Sequence, residues 1–442
     1  MHRSRVVIVG GGFAGYHAAK TLTGTVSSED VDIVLVNPTD YFLYLPLLPE
    51  VAAGILDPRR ISMSLPGTLP GVRLVLGEVT SIHLTGNALV YTDPEDRTGE
   101  LSFDRLILAT GSVNKLLPIP GVAEHAHGFR GVPEALYLRD HITRQVELAA
   151  ATQDQHERAA RCTFTVVGAG YTGTEIAAQG PDFTAALAAR HPELRGQPMR
   201  WLLLDVAPRL LPELDRRLSK TAEEVLRERG VEVLMETSVE EAGKDGVTLT
   251  TGEFVSTRSL VWCVGVRPDP LVSDVGLDTE KGRLVVDATL GVPGLPDLFA
   301  CGDAAAVPDR TRTGELTAMT AQHAVRQGEL AGRNVAASLG HGRQRTYKHH
   351  DLGFLVDLGA GRAAANPLGI PLKGWPAKVV TRAYHLQAMP GNRIRTAVDW
   401  MLEAVCTRQT VQLGLVRSGA VPLDTDSPEV PHVLSAARKE SS

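Results

Sequence analysis

An α/β fold with two parallel-sheet domains is predicted by two stretches of one design. Arg5-Val-Val-Ile-Val-Gly-Gly-Gly-Phe-Ala-Gly15 and Phe164-Thr-Val-Val-Gly-Ala-Gly-Tyr-Thr-Gly173 each run a β-branched strand into a Gly-x-Gly-x-x-Gly turn, with helix formers behind it. Each is followed by a further apolar strand, Val31 to Val36 and Trp201 to Leu204. Gly10 permits the tight turn, Gly12 lets a pyrophosphate approach the backbone, and Gly15 lets helix and strand pack closely. Gly168, Gly170 and Gly173 take the same places in the second unit. Bound phosphates would gain from the unpaired N–H groups and positive end of each helix. Both units therefore read as Rossmann-like dinucleotide-binding folds; a scaffold of that shape without ligand is the alternative.

The strand after each turn should end in an acid for the ribose hydroxyls. The first ends in Asn37, which can bond a ribose but loses the charge-assisted part, roughly 1 kcal/mol. The second ends in Asp205, after an interval lengthened by an insertion or extended helix-loop between Pro181 and Pro198. Asp205 is expected to accept from both ribose hydroxyls and to repel a 2′-phosphate, which favours NADH over NADPH. Arg209 nearby softens that preference.

Composition narrows the rest. A chain of 442 residues has room for about two or three domains. A net charge of -6 argues against a nucleic-acid partner. No secretory signal is legible before Val6, and no segment reaches the ~20 apolar residues that span a bilayer. The most apolar run, Phe42 to Leu56, is broken by Pro46 and Pro49 and carries Glu50. Cys162, Cys263, Cys301 and Cys406 stand far apart, so no disulfide framework is expected and a cytoplasmic location fits. The 14 histidines offer no metal spacing; His125, His127, His349 and His350 read as solvated loop residues.

Leu106-Ile-Leu-Ala-Thr-Gly111, Val261-Trp-Cys-Val-Gly-Val-Arg-Pro268 and Leu298-Phe-Ala-Cys-Gly-Asp303 add three signatures in a fixed order. With the two turns, they resemble the FAD/NAD-linked pyridine nucleotide-disulfide reductase-like flavoproteins. Within that group the chain is similar to the type II NADH:quinone oxidoreductases, from Arg5 to about Val416. Asp40-Tyr-Phe-Leu-Tyr-Leu-Pro-Leu-Leu-Pro-Glu50, Thr172-Gly-Thr-Glu175 and Thr320-Ala-Gln-His-Ala-Val-Arg-Gln-Gly328 carry that likeness. The resemblance implies FAD and NADH as cofactors. It places Gly10, Gly12, Phe13, Ala14, Gly15, Asn37, Pro46, Val79, Thr110, Gly111, Gly302, Asp303, Ala321 and Gln322 at the flavin nucleotide. Gly168, Gly170, Thr172, Gly173, Glu175, Asp205 and Gly265 fall to NADH. One position departs from the pattern: a second glutamine is expected one turn after Gln322, and Arg326 stands there. Gln327 is adjacent but faces about 100° away on a helix. A cation at this position fits a different quinone or a different acceptor.

The chemistry implied is hydride transfer, for which flavin and nicotinamide supply the reactivity and the protein supplies orientation. A helix starting near Thr320 would aim its N–H groups at the flavin edge where charge develops, with Gln322 adding an amide. A helix start with a surface glutamine is the plainer reading. Glu175 is the candidate proton relay, its pKa raised by burial; a carboxylate that positions the nicotinamide is its plainer reading. No vicinal cysteine pair supports thiol-disulfide or sulfide chemistry.

The expected organisation is an FAD-binding domain at 1–125 and 266–345 with an NADH-binding domain, 126–265, inserted. A small C-terminal α/β region at 346–420 and a flexible tail at 421–442 follow. Ile394, Ala397, Val398, Met401, Leu402 and Val405 share one helical face, flanked by Trp400. That face fits a bilayer surface, while Asp399 and Glu403 fit packing on the protein's own core or on a second copy in a homodimer. The sequence thus reads as an NADH dehydrogenase that passes electrons through FAD to a quinone or other small acceptor, without proton pumping. It would be cytoplasmic or peripheral on the cytoplasmic face of the membrane. A soluble reductase of a protein carrier and a non-catalytic NADH sensor remain as alternatives.

Overall fold

A computed structural model describes residues 3–312, 314–349 and 352–431. The helices discussed below are α1 (Phe13–Thr23), α2 (Tyr171–Ala188), α3 (Ala321–Ser338), α4 (Gly374–Ala388) and α5 (Arg393–Val405). The chain divides into two compact units, Met1–Leu43 with Ser62–Val113 and Val266–His350, and Tyr44–Ile61 with Asn114–Gly265 and Asp351–Ser442.

The first unit is built on a six-stranded sheet in the order Gly291–Val292, Leu295–Ala300, Arg105–Leu108, Ser4–Val9, Val31–Asn37, Val72–Leu76. All neighbours are parallel except the edge strand Gly291–Val292. Val6, Val7 and Ile8 have no exposed surface, as befits β-branched residues in a parallel strand covered on both faces. Helices α1 and α3 touch backbone to backbone: a Cβ on Gly328 would lie 2.1 Å from the Ala14 carbonyl oxygen. A separate antiparallel ribbon, Glu78–His83, Ala88–Thr92 and Thr98–Ser102, turns at Asp93, whose carboxylate accepts the Glu95 and Arg97 N–H groups.

The second unit holds a five-stranded parallel sheet ordered Ala126–His127, Ser259–Trp262, Thr163–Val167, Arg200–Asp205, Val231–Met235. Phe164 and Trp201 stack across adjacent strands at 4.8 Å. Helix α2 continues through Pro181 to Ala188, so the first part of the expected insertion is an extension of this helix.

Four expectations change. The segment Tyr44–Ile61 groups with the second unit, because Leu48 and Val51 of the short helix Leu48–Ala52 bury there and Gly54 meets the Phe183 ring. The C-terminal region groups there as well, since a Cβ on Gly359 would reach to 2.8 Å from the Ala178 carbonyl oxygen. Residues 421–431 pack rather than forming part of a flexible tail: Val421 and Leu423 are buried, and Leu423 joins the apolar core of this unit. Residues 432–442 lie outside the described residues. His127, expected in a solvated loop, packs edge-on against Tyr137 and tilted against His141, and burial holds its imidazole down at about 4.

Helix α5 also resolves one of its alternatives. Its apolar face points outward, with Ile394 and Val405 each 82% exposed. Thr396 and Trp400 face inward instead, and Asp399 pairs with Arg60 at 2.8 Å. Among the described residues the Ile394–Val405 face does not pack on the protein's own core: the polar side satisfies buried partners that apolar side chains could not. Among the described residues, no helix is long and apolar enough to cross a membrane.

Candidate functional site

The two glycine turns have matching geometry, each within its own unit. Gly10 adopts φ +96° with its would-be Cβ 2.4 Å from the Ala109 carbonyl oxygen; Gly168 adopts φ +105° with its Cβ 2.2 Å from that of Cys263. A Cβ on Gly15 would sit 1.8 Å from the Gly10 oxygen, and one on Gly173 1.9 Å from the Gly168 oxygen. By contrast, a Cβ on Gly12 or Gly170 meets nothing within 4 Å. These two residues open α1 and α2 without side-chain caps, so the first-turn N–H groups of each helix are not covered by a capping side chain beside the space that each missing side chain leaves. That is the shape a pyrophosphate needs. Phe13 and Ala14 form the first turn of α1, and Thr172 lies in the first turn of α2.

The strand-end residues are also equivalent. Asn37 Oδ1 accepts the Gly11 N–H at 2.6 Å, and Asp205 Oδ2 accepts the Ala169 N–H at 2.6 Å. Asn37 spends its amide hydrogens on Thr39, so its carbonyl lone pair is what it can offer a ribose. Asp205 also takes the Ala207 N–H at 2.8 Å but, as a carboxylate, keeps further lone pairs for two hydroxyls. Arg209 is bonded to the carbonyls of Leu214 and Pro212, within its own loop.

Other features of the first unit fit a dinucleotide. Thr110 Oγ1 is buried with no protein partner among the described residues, next to Gly111 at φ +78°. Gly302 adopts φ +72°, and its N–H is held by Gln327 Oε1 at 2.8 Å, while Gln327 donates to Thr317. Gln327, which sequence reasoning only turned away from the acceptor, thus fixes the Gly302–Asp303 turn. Asp303 accepts from Ser112 Oγ at 2.5 Å. Thr320 caps α3 on the His323 N–H, with Ala321 and Gln322 opening the helix. Arg326 reaches His349 Nδ1 at 3.2 Å, and the His349 ring stacks on His323 at 4.0 Å, so His349 is not a solvated loop residue. Val79 is buried in the first unit, whereas Pro46 lies in the second, within the turn Leu45–Leu47. The apolar stretch expected to wall the flavin is therefore divided between units.

In the second unit, Gly265 adopts φ +84° and its carbonyl accepts the Lys115 N–H. Glu175, on α2, accepts the Asp357 N–H at 2.9 Å. Asp357 pairs with Lys378, whose Nζ also lies 4.0 Å from Glu50 Oε1, and the Trp400 indole donates to Glu50 Oε2 at 2.5 Å. Burial raises the Glu175 carboxyl well above the usual carboxylate range. Burial likewise pushes Glu50 up to about 7, against the opposing pull of Lys378 and the Trp400 hydrogen bond. Sequence reasoning found Glu175 but missed Glu50, Asp357, Lys378 and Trp400 as its setting. A signal was present: Glu50 and Lys378 are charges inside apolar runs, which must find partners when buried.

The cysteine thiols are unpaired, and burial pushes Cys301 up to about 12 and Cys162 up to about 11. Neither is poised as a thiolate.

Comparison with known proteins follows the same lines. Residues 4–328 match the family model described as pyridine nucleotide-disulphide oxidoreductase. The chain is 31% identical over 426 residues to the type II NADH:quinone oxidoreductase Ndh of Mycobacterium tuberculosis, covering 92% of this chain and 89% of that one. It is 29% identical over 413 residues to the demethylphylloquinone reductase NdbB of Synechocystis, covering 90% and 96%. Its fold matches the structure of NDH2 from Plasmodium falciparum in complex with NADH, with a TM-score of 0.85 at 18% identity, over 93% of this chain and 100% of that one.

Proposed function

The chain belongs to the pyridine nucleotide-disulphide oxidoreductase family, and we propose that it oxidises NADH through FAD and delivers the electrons to a quinone. The observation that carries this reading is the paired set of open, uncapped glycine turns, each ending a buried parallel strand, in a chain 31% identical to a type II NADH:quinone oxidoreductase. FAD, when bound, supplies the two-electron acceptor for hydride. Gly12 and the α1 N–H groups hold its pyrophosphate, Thr110 gains a partner for its buried hydroxyl, and Asp303 takes the ribityl chain. Asp205 holds the NADH ribose, and its charge disfavours a 2′-phosphate. Gln322 places an amide at the start of α3, and Glu175, its carboxyl raised by burial, gives a proton to the reduced acceptor.

Anaerobic mixing of the flavin-loaded protein with NADH, then with a quinone, tests this. NADH should bleach the flavin, NADPH should do so at least about tenfold more slowly, and the quinone should restore the colour. Glu175→Gln should slow the second step by on the order of 10²-fold while leaving FAD bound. Flavin that NADH does not bleach would end the reading.

The outward face of α5 belongs, in this reading, on the membrane that carries the quinone. Ile394, Val398, Met401, Leu402 and Val405 are exposed there, as are Trp375 and Val379 of the neighbouring α4. Such a concentration of solvent-facing apolar side chains marks an interaction surface. Liposome flotation should recover the wild type and lose the double variant Ile394→Glu/Met401→Glu. Equal flotation of both would sink the membrane assignment, and a monomer–dimer difference between them would move the face to a second copy.

A further inference from the structure

Reduction of a quinone by NADH leaves one proton to be found. Hydride carries two electrons and one proton, whereas the quinol needs two electrons and two protons. In the function proposed above, on which this inference rests, Glu175 gives the second proton. The geometry points to Glu50 as the store that replaces it, acting through Lys378 and Asp357.

The cluster is continuous within one unit. Glu50 lies in the short helix Leu48–Ala52 and is 3% exposed. One carboxyl oxygen takes the Trp400 indole proton at 2.5 Å; the other faces Lys378 Nζ at 4.0 Å, a span that one water or a small lysine movement closes. Lys378 is bonded to Asp357, and the Asp357 N–H is bonded to Glu175. Three carboxyl groups thus gather around one lysine in a setting that disfavours charge, and they cannot all ionise at modest cost. The burden falls on Glu50 and Glu175, both raised, while Asp357 has the lysine.

The remaining charged neighbours leave that balance in place. Arg382 of α4 lies over the Trp400 ring at 4.9 Å and draws Glu50 down, less than burial raises it. Arg60 is paired with Asp399. Asp140, on the helix Val132–Ala151, accepts the Leu413 and Gly414 N–H groups. His385, bonded to the Tyr44 hydroxyl at 3.1 Å, is held at about 4 by burial and is neutral at pH 7.

The proton step moves no electrons. Lys378, whose ammonium nitrogen carries no lone pair, first releases a proton to the Asp357 carboxylate; the Glu50 O–H bond then breaks as an N–H bond forms on Lys378, and the Asp357 carboxyl hands its proton through a water to Glu175. Glu50 then regains a proton from water, so each NADH oxidised by a quinone takes up one proton from solvent. Glu50 would otherwise serve only to anchor Trp400, and hence α5.

Glu50→Gln keeps an oxygen for the Trp400 indole and removes the titratable proton, which separates the two roles. In the FAD-loaded protein without NADH or quinone, infrared titration should show a protonated-carboxyl band that disappears near pH 7 and is missing in Glu50→Gln. In turnover, the variant should slow quinone reduction on the order of tenfold more than it slows reduction of ferricyanide, a one-electron acceptor that takes no proton. Survival of the titrating band in Glu50→Gln, or equal slowing with both acceptors, overturns the inference. Glu175→Gln is run alongside. If it is slow with quinone and Glu50→Gln is not, the store is wrong and the relay stands. If neither is slow, the relay reading of Glu175 fails too.

Discussion

Gly12→Val is expected to yield a folded but colourless protein, and Gly15→Val to yield no folded protein. The two positions lie three residues apart in one turn, yet their surroundings are opposite. A Cβ at residue 12 meets nothing within 4 Å, and the backbone there, φ -70° and ψ -165°, is extended, which a β-branched residue accepts. Stability should therefore stay within about 1 kcal/mol of wild type. The valine would occupy the space in front of the α1 N–H groups, where the flavin pyrophosphate belongs, and flavin affinity should fall at least tenfold, about 1.4 kcal/mol. At residue 15, the Cβ would overlap the Gly10 carbonyl oxygen at 1.8 Å, and no side-chain rotation relieves a clash with backbone. Separating α1 from its strand would cost more than about 3 kcal/mol. Flavin absorbance per protein and thermal unfolding read both outcomes. A yellow Gly12→Val protein of normal affinity would remove the flavin from this turn.

The parts of the fold that the sequence made legible are those written in backbone constraints. Gly10, Gly15, Gly168 and Gly173 are glycine because a carbonyl oxygen occupies the Cβ position, so motif and geometry coincide. The apolar runs 6–9 and 201–204 read as parallel strands because burial on both faces removes alternation. Long-range partnership was not legible. Asn37 looks like a weakened ribose ligand until its oxygen is seen on the Gly11 N–H, the place Asp205 fills in the second unit. On α5, the apolar stripe left a bilayer surface, the protein's own core and a second copy all open, whereas Trp400 and Asp399 turn inward because Glu50 and Arg60, some 340 residues earlier in the chain, need a donor and an acceptor (separations of 350 and 339). Helical periodicity identifies two faces but cannot say which one the core claims when polar partners wait in it.

Lys378→Met should destabilise the protein by about 3–5 kcal/mol at pH 8, with a deficit that shrinks toward pH 5. The substitution keeps most of the side-chain volume and removes the cation that Asp357 and Glu50 face, so it leaves buried carboxylates uncompensated. The pH dependence follows from Glu50, whose carboxyl is raised from 4.5 to about 7 on folding, burial being the larger cause and Lys378 opposing it. A group raised in this way binds its proton more tightly in the folded state. Its contribution is fully present below pH 4.5 and is lost as pH rises through about 7, so the wild type already loses stability across that window. Without Lys378, Glu50 rises further, and the loss continues above pH 7, where the lysine had limited it. Thermal unfolding at pH 5 and pH 8 measures the effect, and Lys378→Arg, which keeps the charge, should recover part of it. A deficit of equal size at both pH values would mean that lost packing, not unpaired carboxylates, sets the cost of removing Lys378.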